Sequence, residues 1–131
     1  EIRNSAVQTD KYGYSDRIGI LYQLLGETSL GIRHWMDWYT DRTQYADWYL
    51  TLSPERLLAC DEELVRILYA QSDGLQNALR CGMPVEEKTI TRYLHTAQTA
   101  RLRLQQCGSR YTRLIDELTA PFNGTEEDTI H

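Results

Sequence analysis

The chain contains little of what marks several large classes of protein. Its 131 residues include eight glycines and three prolines, too few for a β-sandwich with many tight turns or for a low-complexity segment. No apolar run approaches the roughly 18 residues that a membrane-spanning helix requires. The chain opens on Glu1 and Ile2, without an initiator methionine or a signal-like segment, which indicates a processed chain or a fragment of a longer one.

Positive charge and cysteine are also scarce. Fourteen basic residues against nineteen acidic ones leave a net charge of −5, which repels nucleic acid, so no nucleic-acid partner is expected. Three cysteines are an odd number, which favours a reducing, cytoplasmic location over a disulfide framework. The alternative is a secreted or viral helical-bundle signalling or binding protein, in which two cysteines are oxidised and the sequon at Asn123 carries a glycan.

Signatures of catalysis are missing as well. The sequence contains no Gly-x-Ser-x-Gly, no glycine-rich phosphate loop and no cysteine with recognisable catalytic partners. His34, Asp37 and Asp41 share one helical face at i, i+3 and i+7, which suits a metal ion. Without a Glu-x-x-His or His-Glu-x-x-His motif, a solvated polar face is the better account. We therefore predict no enzyme activity, no metal and no cofactor.

Residues typical of helix starts and helix ends divide the chain into segments. Ser53-Pro54-Glu55 is typical of a helix start, with a capping serine, a proline and an acid in the first turn. The segment "RCGMPVEE" predicts a helix end at Gly82 and a new helix start at Pro84. We expect three helices, over residues 15–50, 54–81 and 84–119.

The predicted fold is all-α, an antiparallel up-down-up three-helix bundle. Apolar residues recur at steps of three and four along each helix, and short connections make neighbouring helices antiparallel. The first helix is weakened by glycines and is expected to break near Gly26. An extended segment is expected over 1–14, and a tail over 120–131 where Pro121 closes the last helix. The same register puts Cys60 and Cys107 opposite each other, as buried free thiols.

All three tryptophans lie in one segment, "RHWMDWYTDRTQYADWY", residues 33–49. Trp35 falls on the apolar stripe and is predicted to be core, whereas Trp48 lies further round the helix. One interpretation buries both flanks of this helix in a groove between its neighbours. The other leaves Trp48, together with Trp38, partly exposed as anchors for a partner.

Residues 15–119 resemble a spectrin repeat, a triple-helical unit of similar length. "LGIRHWMDW" is similar to the first-helix pattern of an apolar residue followed by tryptophan, and "ALRCGMP" to the turn between the second and third helices. Ile90 and Leu94 fit the opening of a third helix, while Tyr111 comes late for its second aromatic residue and the second helix is short. The resemblance implies a structural or docking module, often one repeat of an array, without catalytic residues.

Charge is segregated along the third predicted helix. From Lys88 to Ile115 there are six basic residues and no acidic one. An outward arginine stripe would suit bidentate contact with an acidic partner; the alternative is that the arginines pair with the acidic residues 61–63 of the second helix. The candidate protein-binding residues are Arg92, Arg103, Arg110 and Arg113, together with Trp48.

A short motif lies near the amino terminus. "SAVQTDK" is similar to the extended peptides that dynein light chain binds as an added β-strand. Gln8 and Thr9 match the usual Thr-Gln-Thr anchor, and Val7 replaces its first threonine, which predicts a contact at Ala6-Val7-Gln8-Thr9. Taken together, these features favour a non-enzymatic structural or protein-interaction module, a fragment of a larger intracellular scaffold or cytoskeleton-linked protein.

Overall fold

The protein is built of helices in the part of the chain that the structure describes. The computed structural model describes residues 20–21, 26 and 28–130, and none of these lies in a β-strand. The helices are α1 (Thr28–Tyr49), α2 (Pro54–Ala59), α3 (Asp61–Arg80), α4 (Glu87–Gln106) and α5 (Thr112–Ile130). The all-α class is confirmed. The three-helix arrangement is not confirmed, because two of the expected helices are each divided in two.

Residues 20–21 are helical, and a turn at Gly26 precedes α1. α1 starts at Thr28, two residues after Gly26, whose φ of 87° lies in the left-handed region. Glycine adopts this conformation without the strain that a Cβ atom would add, which agrees with the break expected there. The extended segment expected over 1–14 and the dynein-type contact expected at 6–9 lie outside the described residues.

The second expected helix is divided at Cys60. Ser53 caps α2 as predicted, because its Oγ accepts a hydrogen bond from the Arg56 N–H at 3.4 Å. Cys60 then leaves helical geometry, with φ −128° and ψ 25°, and α3 begins at the next residue. Three acidic residues occupy the first turn of α3, where they interact favourably with the positive end of the helix dipole.

The chain leaves α3 through a Schellman motif at Gly82, where the sequence predicted the helix end. The Gly82 N–H bonds to the Leu79 carbonyl at 3.2 Å, and the Met83 N–H bonds to the Ala78 carbonyl at 2.9 Å. Gly82 has a φ of 81°, as this motif requires. Pro84 lies in the connection that follows and does not open α4, which begins three residues later.

A second motif of the same kind divides the helix expected over 84–119. The Gly108 N–H bonds to the Gln105 carbonyl at 3.2 Å, and the Ser109 N–H bonds to the Leu104 carbonyl at 2.9 Å. Gly108 has a φ of 82°. The prediction of one long third helix is therefore wrong, and α4 and α5 are separate helices.

Replacing Gly82 or Gly108 by valine is expected to lower the free energy of unfolding by about 1–2 kcal/mol each. The cost comes from the backbone, because a Cβ built at either position has no atom within 4 Å while a β-branched residue fits the left-handed region poorly. Urea denaturation measures the loss. Gly82→Asn is the control and should cost less, since asparagine tolerates this region. An unchanged midpoint for Gly82→Val would contradict the motif.

The last helix extends further than the sequence indicated. α5 continues through Pro121 to its end at Ile130, so the segment expected to be a tail from residue 120 begins as helix. Proline lacks an N–H, and the carbonyl four residues before it therefore loses its intrahelical partner. Phe122 is buried and meets Tyr93 edge-on, with ring centroids 5.7 Å apart. This contact holds the α5 segment that contains the proline against α4.

Helix α3 lies at the centre of the packing. It packs against α1, α4 and α5, and α4 also packs against α2 and α5. The contacts between α1 and α3 show an antiparallel pair: Trp35 bonds to Gly74, and Thr43, later in α1, bonds to Gln71, earlier in α3.

All five helices contribute apolar side chains to the core. Two buried hydroxyls cross it. Ser72 Oγ donates to the Leu118 carbonyl at 2.8 Å, and the Tyr93 hydroxyl donates to the Leu68 carbonyl at 2.8 Å. Because a buried hydroxyl without a partner costs energy, these bonds favour one placement of α4 and α5 against α3.

The three cysteines are free, half-buried thiols. Cys60 separates α2 from α3, and Cys81 and Cys107 cap the ends of α3 and α4. The free state agrees with the prediction for Cys60 and Cys107. Their predicted burial is wrong, because both are only half-buried and lie at helix ends, although Cys107 packs against the core.

Candidate protein-docking surface

Trp35 and Trp38 belong to the core and not to a surface. The Trp35 Nε1 donates to the Gly74 carbonyl at 3.2 Å, and its ring stacks on Tyr39 with centroids 4.9 Å apart. Trp38 is buried in the same aromatic cluster, with its ring centroid 6.3 Å from that of Trp35. The prediction that Trp35 is core is confirmed. The alternative that left Trp38 partly exposed is wrong, because this cluster encloses it.

The end of α1 carries an exposed aromatic pair. Trp48 is 57% exposed and Tyr45 is 44% exposed. The ring of Trp48 meets half-buried Tyr49 edge-on, with centroids 5.1 Å apart, which limits the orientations that the indole can adopt. These three residues, with Asp41 and Gln44, line a cleft of about 490 Å³. The predicted exposure of Trp48 is confirmed, and its role in binding stays a prediction.

A groove between α1 and α3 adjoins this cleft. It measures about 540 Å³, shares Tyr49 with the cleft, and is bounded on α3 by Ile67, Tyr69 and Ala70. Three charged residues also line it: Arg42, Glu63 and Arg66. Tyr69 is 58% exposed. Single exposed apolar residues are common, whereas a contiguous group of them marks an interaction site. We define the aromatic face as Tyr45, Trp48, Tyr49 and Tyr69.

Sequence reasoning found Trp48 and missed Tyr69. Tyr69 lies outside the apolar stripe of its helix, at a position where an amphipathic helix places a polar residue. An aromatic residue on the wet side of a helix is the signal that the sequence offers for it.

Two of the four candidate arginines contact other elements of the bundle. Arg103 of α4 donates to the backbone carbonyls of Leu50 and Leu52, in the connection between α1 and α2. Arg92 forms an exposed ion pair with Asp47 of α1 at 3.2 Å, a kind of contact that contributes little to stability. Both arginines therefore face the protein's own α1 and the connection that follows it.

The other two arginines lie on a different part of the chain. Arg110 is in the connection between α4 and α5, where its Nη2 donates to the Tyr111 hydroxyl at 3.0 Å and its guanidinium lies 5.1 Å from that ring's centroid. Arg113 is exposed in the first turn of α5 and makes no hydrogen bond or ion pair with another described residue. The single outward stripe expected on one helix is wrong, because the chain turns at Gly108. Whether Arg110 and Arg113 bind an acidic partner stays a prediction.

The alternative pairing of the arginines with residues 61–63 gives no ion pair among the described residues. The Tyr111 hydroxyl raises the pKa of Arg110 most, and the charges of Asp61 and Glu62 add to this rise. Asp61 accepts a hydrogen bond from Ser109 Oγ at 2.7 Å. Arg101 instead pairs with Asp116 of α5, with its Nε 2.7 Å from one carboxylate oxygen. Arg101 has this different partner because the turn at Gly108 places α5, with the Asp116 carboxylate, beside α4.

Two core tyrosines differ in how their hydroxyls are satisfied. Burial raises the pKa of both Tyr39 and Tyr93 well above the usual tyrosine value, so both stay protonated in the folded protein. The Tyr93 hydroxyl is bonded to the Leu68 carbonyl. The Tyr39 hydroxyl is buried without a hydrogen-bond partner among the described residues.

Tyr39→Phe is expected to leave the free energy of unfolding unchanged or to raise it by up to about 1 kcal/mol, whereas Tyr93→Phe should lower it by about 1 kcal/mol. Removing an unsatisfied buried hydroxyl costs nothing in hydrogen bonding, whereas removing the Tyr93 hydroxyl loses its hydrogen bond to the Leu68 carbonyl. Urea denaturation at neutral pH measures both. Wild type should also lose stability as the pH rises above about 10, because the hydroxyls ionise in the unfolded chain first. A larger loss for Tyr39→Phe than for Tyr93→Phe would contradict this assignment.

Within the described ranges, no group of three or more His, Cys, Asp or Glu residues is arranged to hold a metal ion. None of the described helices is long and apolar enough to cross a membrane. No protein-family model matches the chain, and no curated protein or solved structure matches it either. What the protein does must therefore be inferred from its own residues.

Proposed function

We propose that the chain is a non-enzymatic protein-interaction module and that the aromatic face is its docking surface. The observation that carries this proposal is the clustering of exposed aromatic residues along a cleft and a groove that share Tyr49. Tyrosine and tryptophan supply much of the energy of protein interfaces, because each buries a large area and loses little side-chain entropy. Ile67 and Ala70 continue this apolar surface onto α3.

The support beneath the aromatic face favours a preorganised surface. Trp35, Trp38 and Tyr39 bury the inner side of α1, and Arg103 binds two carbonyls just beyond its end. The rings on the outer side therefore project from a fixed helix. A surface held in its binding geometry loses less entropy on association.

We further propose that the module belongs to a larger intracellular scaffold, in keeping with the resemblance to spectrin repeats of cytoskeleton-linked proteins. The odd number of cysteines supports a reducing, cytoplasmic location. The dynein-type contact at 6–9 and an acidic partner for Arg110 and Arg113 stay predictions of this proposal.

Photo-crosslinking tests the docking surface. With a photoreactive phenylalanine analogue at position 48, in extract of the source cells, we expect one saturable crosslinked product. Unlabelled wild type should compete for it, and a Trp48→Ala, Tyr69→Ala double variant should not. The control carries the analogue at Leu102, which is 49% exposed on α4, and should give no such product. Equal crosslinking at both positions, or competition by the double variant, would refute the proposal.

A further inference from the structure

One exposed row of side chains runs along α1. Its members follow each other at steps of three or four positions and therefore lie one above another on the helix surface. They are His34, Asp37, Asp41, Tyr45 and Trp48, and all five are exposed. Two carboxylates are thus followed, on the same line, by two aromatic rings of the aromatic face.

Asp41 is the carboxylate of this row that lies next to its aromatic residues. It lines the cleft together with Tyr45 and Trp48. Its Oδ2 accepts from the Arg42 Nη1 at 3.1 Å. Arg42 is 3% exposed, whereas the Asp41 side chain is 54% exposed. The carboxylate therefore pairs with a buried cation on its inner side and keeps accessible surface for a second cation on its outer side.

The aromatic rings beside Asp41 are suited to a cation as well. The Arg42 Cζ lies 5.9 Å from the centroid of the Tyr45 ring, so one ring of the pair already accommodates a guanidinium at cation–π distance. Tryptophan is the strongest cation–π acceptor among the side chains. No cation of the described residues lies over the ring of Trp48.

We propose that the partner segment that docks on the aromatic face is basic, with an arginine or lysine side chain in the cleft between Asp41 and Trp48. Its charge lies against the Asp41 carboxylate and on the indole ring, and its neighbouring apolar side chains cover Tyr49 and Ile67 in the adjoining groove. This inference rests on the proposed docking role and adds the chemistry of the partner. Charge complementarity favours it, because Asp37 extends the acidic line and the whole chain carries −5.

Selection from a random-peptide library displayed on phage tests the charge of the partner. The full chain is immobilised, and clones that also bind Trp48→Ala are removed. We expect the remaining peptides to carry an excess of lysine and arginine beside bulky apolar residues, and their affinity should fall as salt rises. Remaining peptides that are neutral or acidic would overturn this inference and leave the docking role intact. If no peptide depends on Trp48, the docking role fails and this inference with it.

A matched pair of variants locates the cation. Gln44 lines the cleft, and Gln98 is equally an exposed glutamine, on α4. Gln44→Lys should weaken binding of the leading basic peptide by roughly tenfold, because a like charge is placed beside the bound cation, and Gln98→Lys should leave it unchanged. Both variants should keep the wild-type helical circular dichroism spectrum. Equal affinities for the two variants would overturn the placement of the cation in this cleft.

Discussion

Replacing Trp35 by alanine is expected to lower the free energy of unfolding by about 3–5 kcal/mol. The side chain is fully buried, stacks on Tyr39 and donates its indole N–H to the Gly74 carbonyl. Truncation therefore removes apolar burial, leaves a cavity between α1 and α3, and loses the indole hydrogen bond to Gly74. Urea denaturation followed by circular dichroism at 222 nm gives the loss.

Trp48 provides the control within the same helix. Trp48→Ala should change the free energy of unfolding by about 0.5 kcal/mol or less, because the side chain is mostly exposed. The loss of unfolding free energy for Trp35→Phe should lie between the losses for these two variants, since phenylalanine keeps a stacking ring and lacks the hydrogen bond to Gly74. Equal and small losses at positions 35 and 48 would contradict the burial of Trp35 and the packing of α1 on α3.

Arg103→Ala is expected to lower the free energy of unfolding by about 1.5–3 kcal/mol. Its guanidinium binds the carbonyls of Leu50 and Leu52 and so ties α4 to the connection between α1 and α2. Hydrogen bonds from a charged donor are stronger than neutral ones. Arg103→Lys should recover part of the loss, because lysine keeps the charge and lacks the planar fork that serves two acceptors.

Arg113→Ala is the matched control, since Arg113 is exposed and makes no hydrogen bond or ion pair with another described residue. It should leave the urea midpoint unchanged. If Arg103→Ala proves silent in stability and instead weakens partner binding, Arg103 belongs to a docking surface, as the sequence predicted. The bundle contact described above would then be wrong.

Helix ends marked by strong local chemistry could be predicted from the sequence. Ser53 caps α2 and Gly82 ends α3 as expected, because capping and left-handed glycine are decided within a few residues. The second Cys-Gly pair, at Cys107-Gly108, repeats the first and was missed. There the three-and-four spacing of apolar residues continues across the turn, from Leu104 to Tyr111. This spacing indicates which residues face the core, but it does not indicate where one helix ends and the next begins.

Contacts between distant segments could not be predicted. Arg103 and its acceptor at Leu50 are 53 positions apart, and no local pattern links an arginine to the carbonyls of a connection elsewhere in the chain. The break at Cys60 has no glycine or proline to mark it. In the candidate site, Trp48 was found because it lies off the apolar stripe of α1, whereas Tyr69 was overlooked although it carries the same signal.

The central position of α3 also bears on how the chain folds during synthesis. Its partners α1 and α4 lie near it in sequence, with only the short α2 between α1 and α3, and such local contacts form quickly. Its third partner, α5, is made last, and until then Ser72 lacks its acceptor and the sites for Ile115, Leu118 and Phe122 face water. A nascent chain that has emerged from the ribosome only as far as Gln106 therefore exposes a large unpaired apolar surface. We expect chaperone binding and aggregation of stalled chains to peak at this length and to fall once Phe122 has left the ribosome.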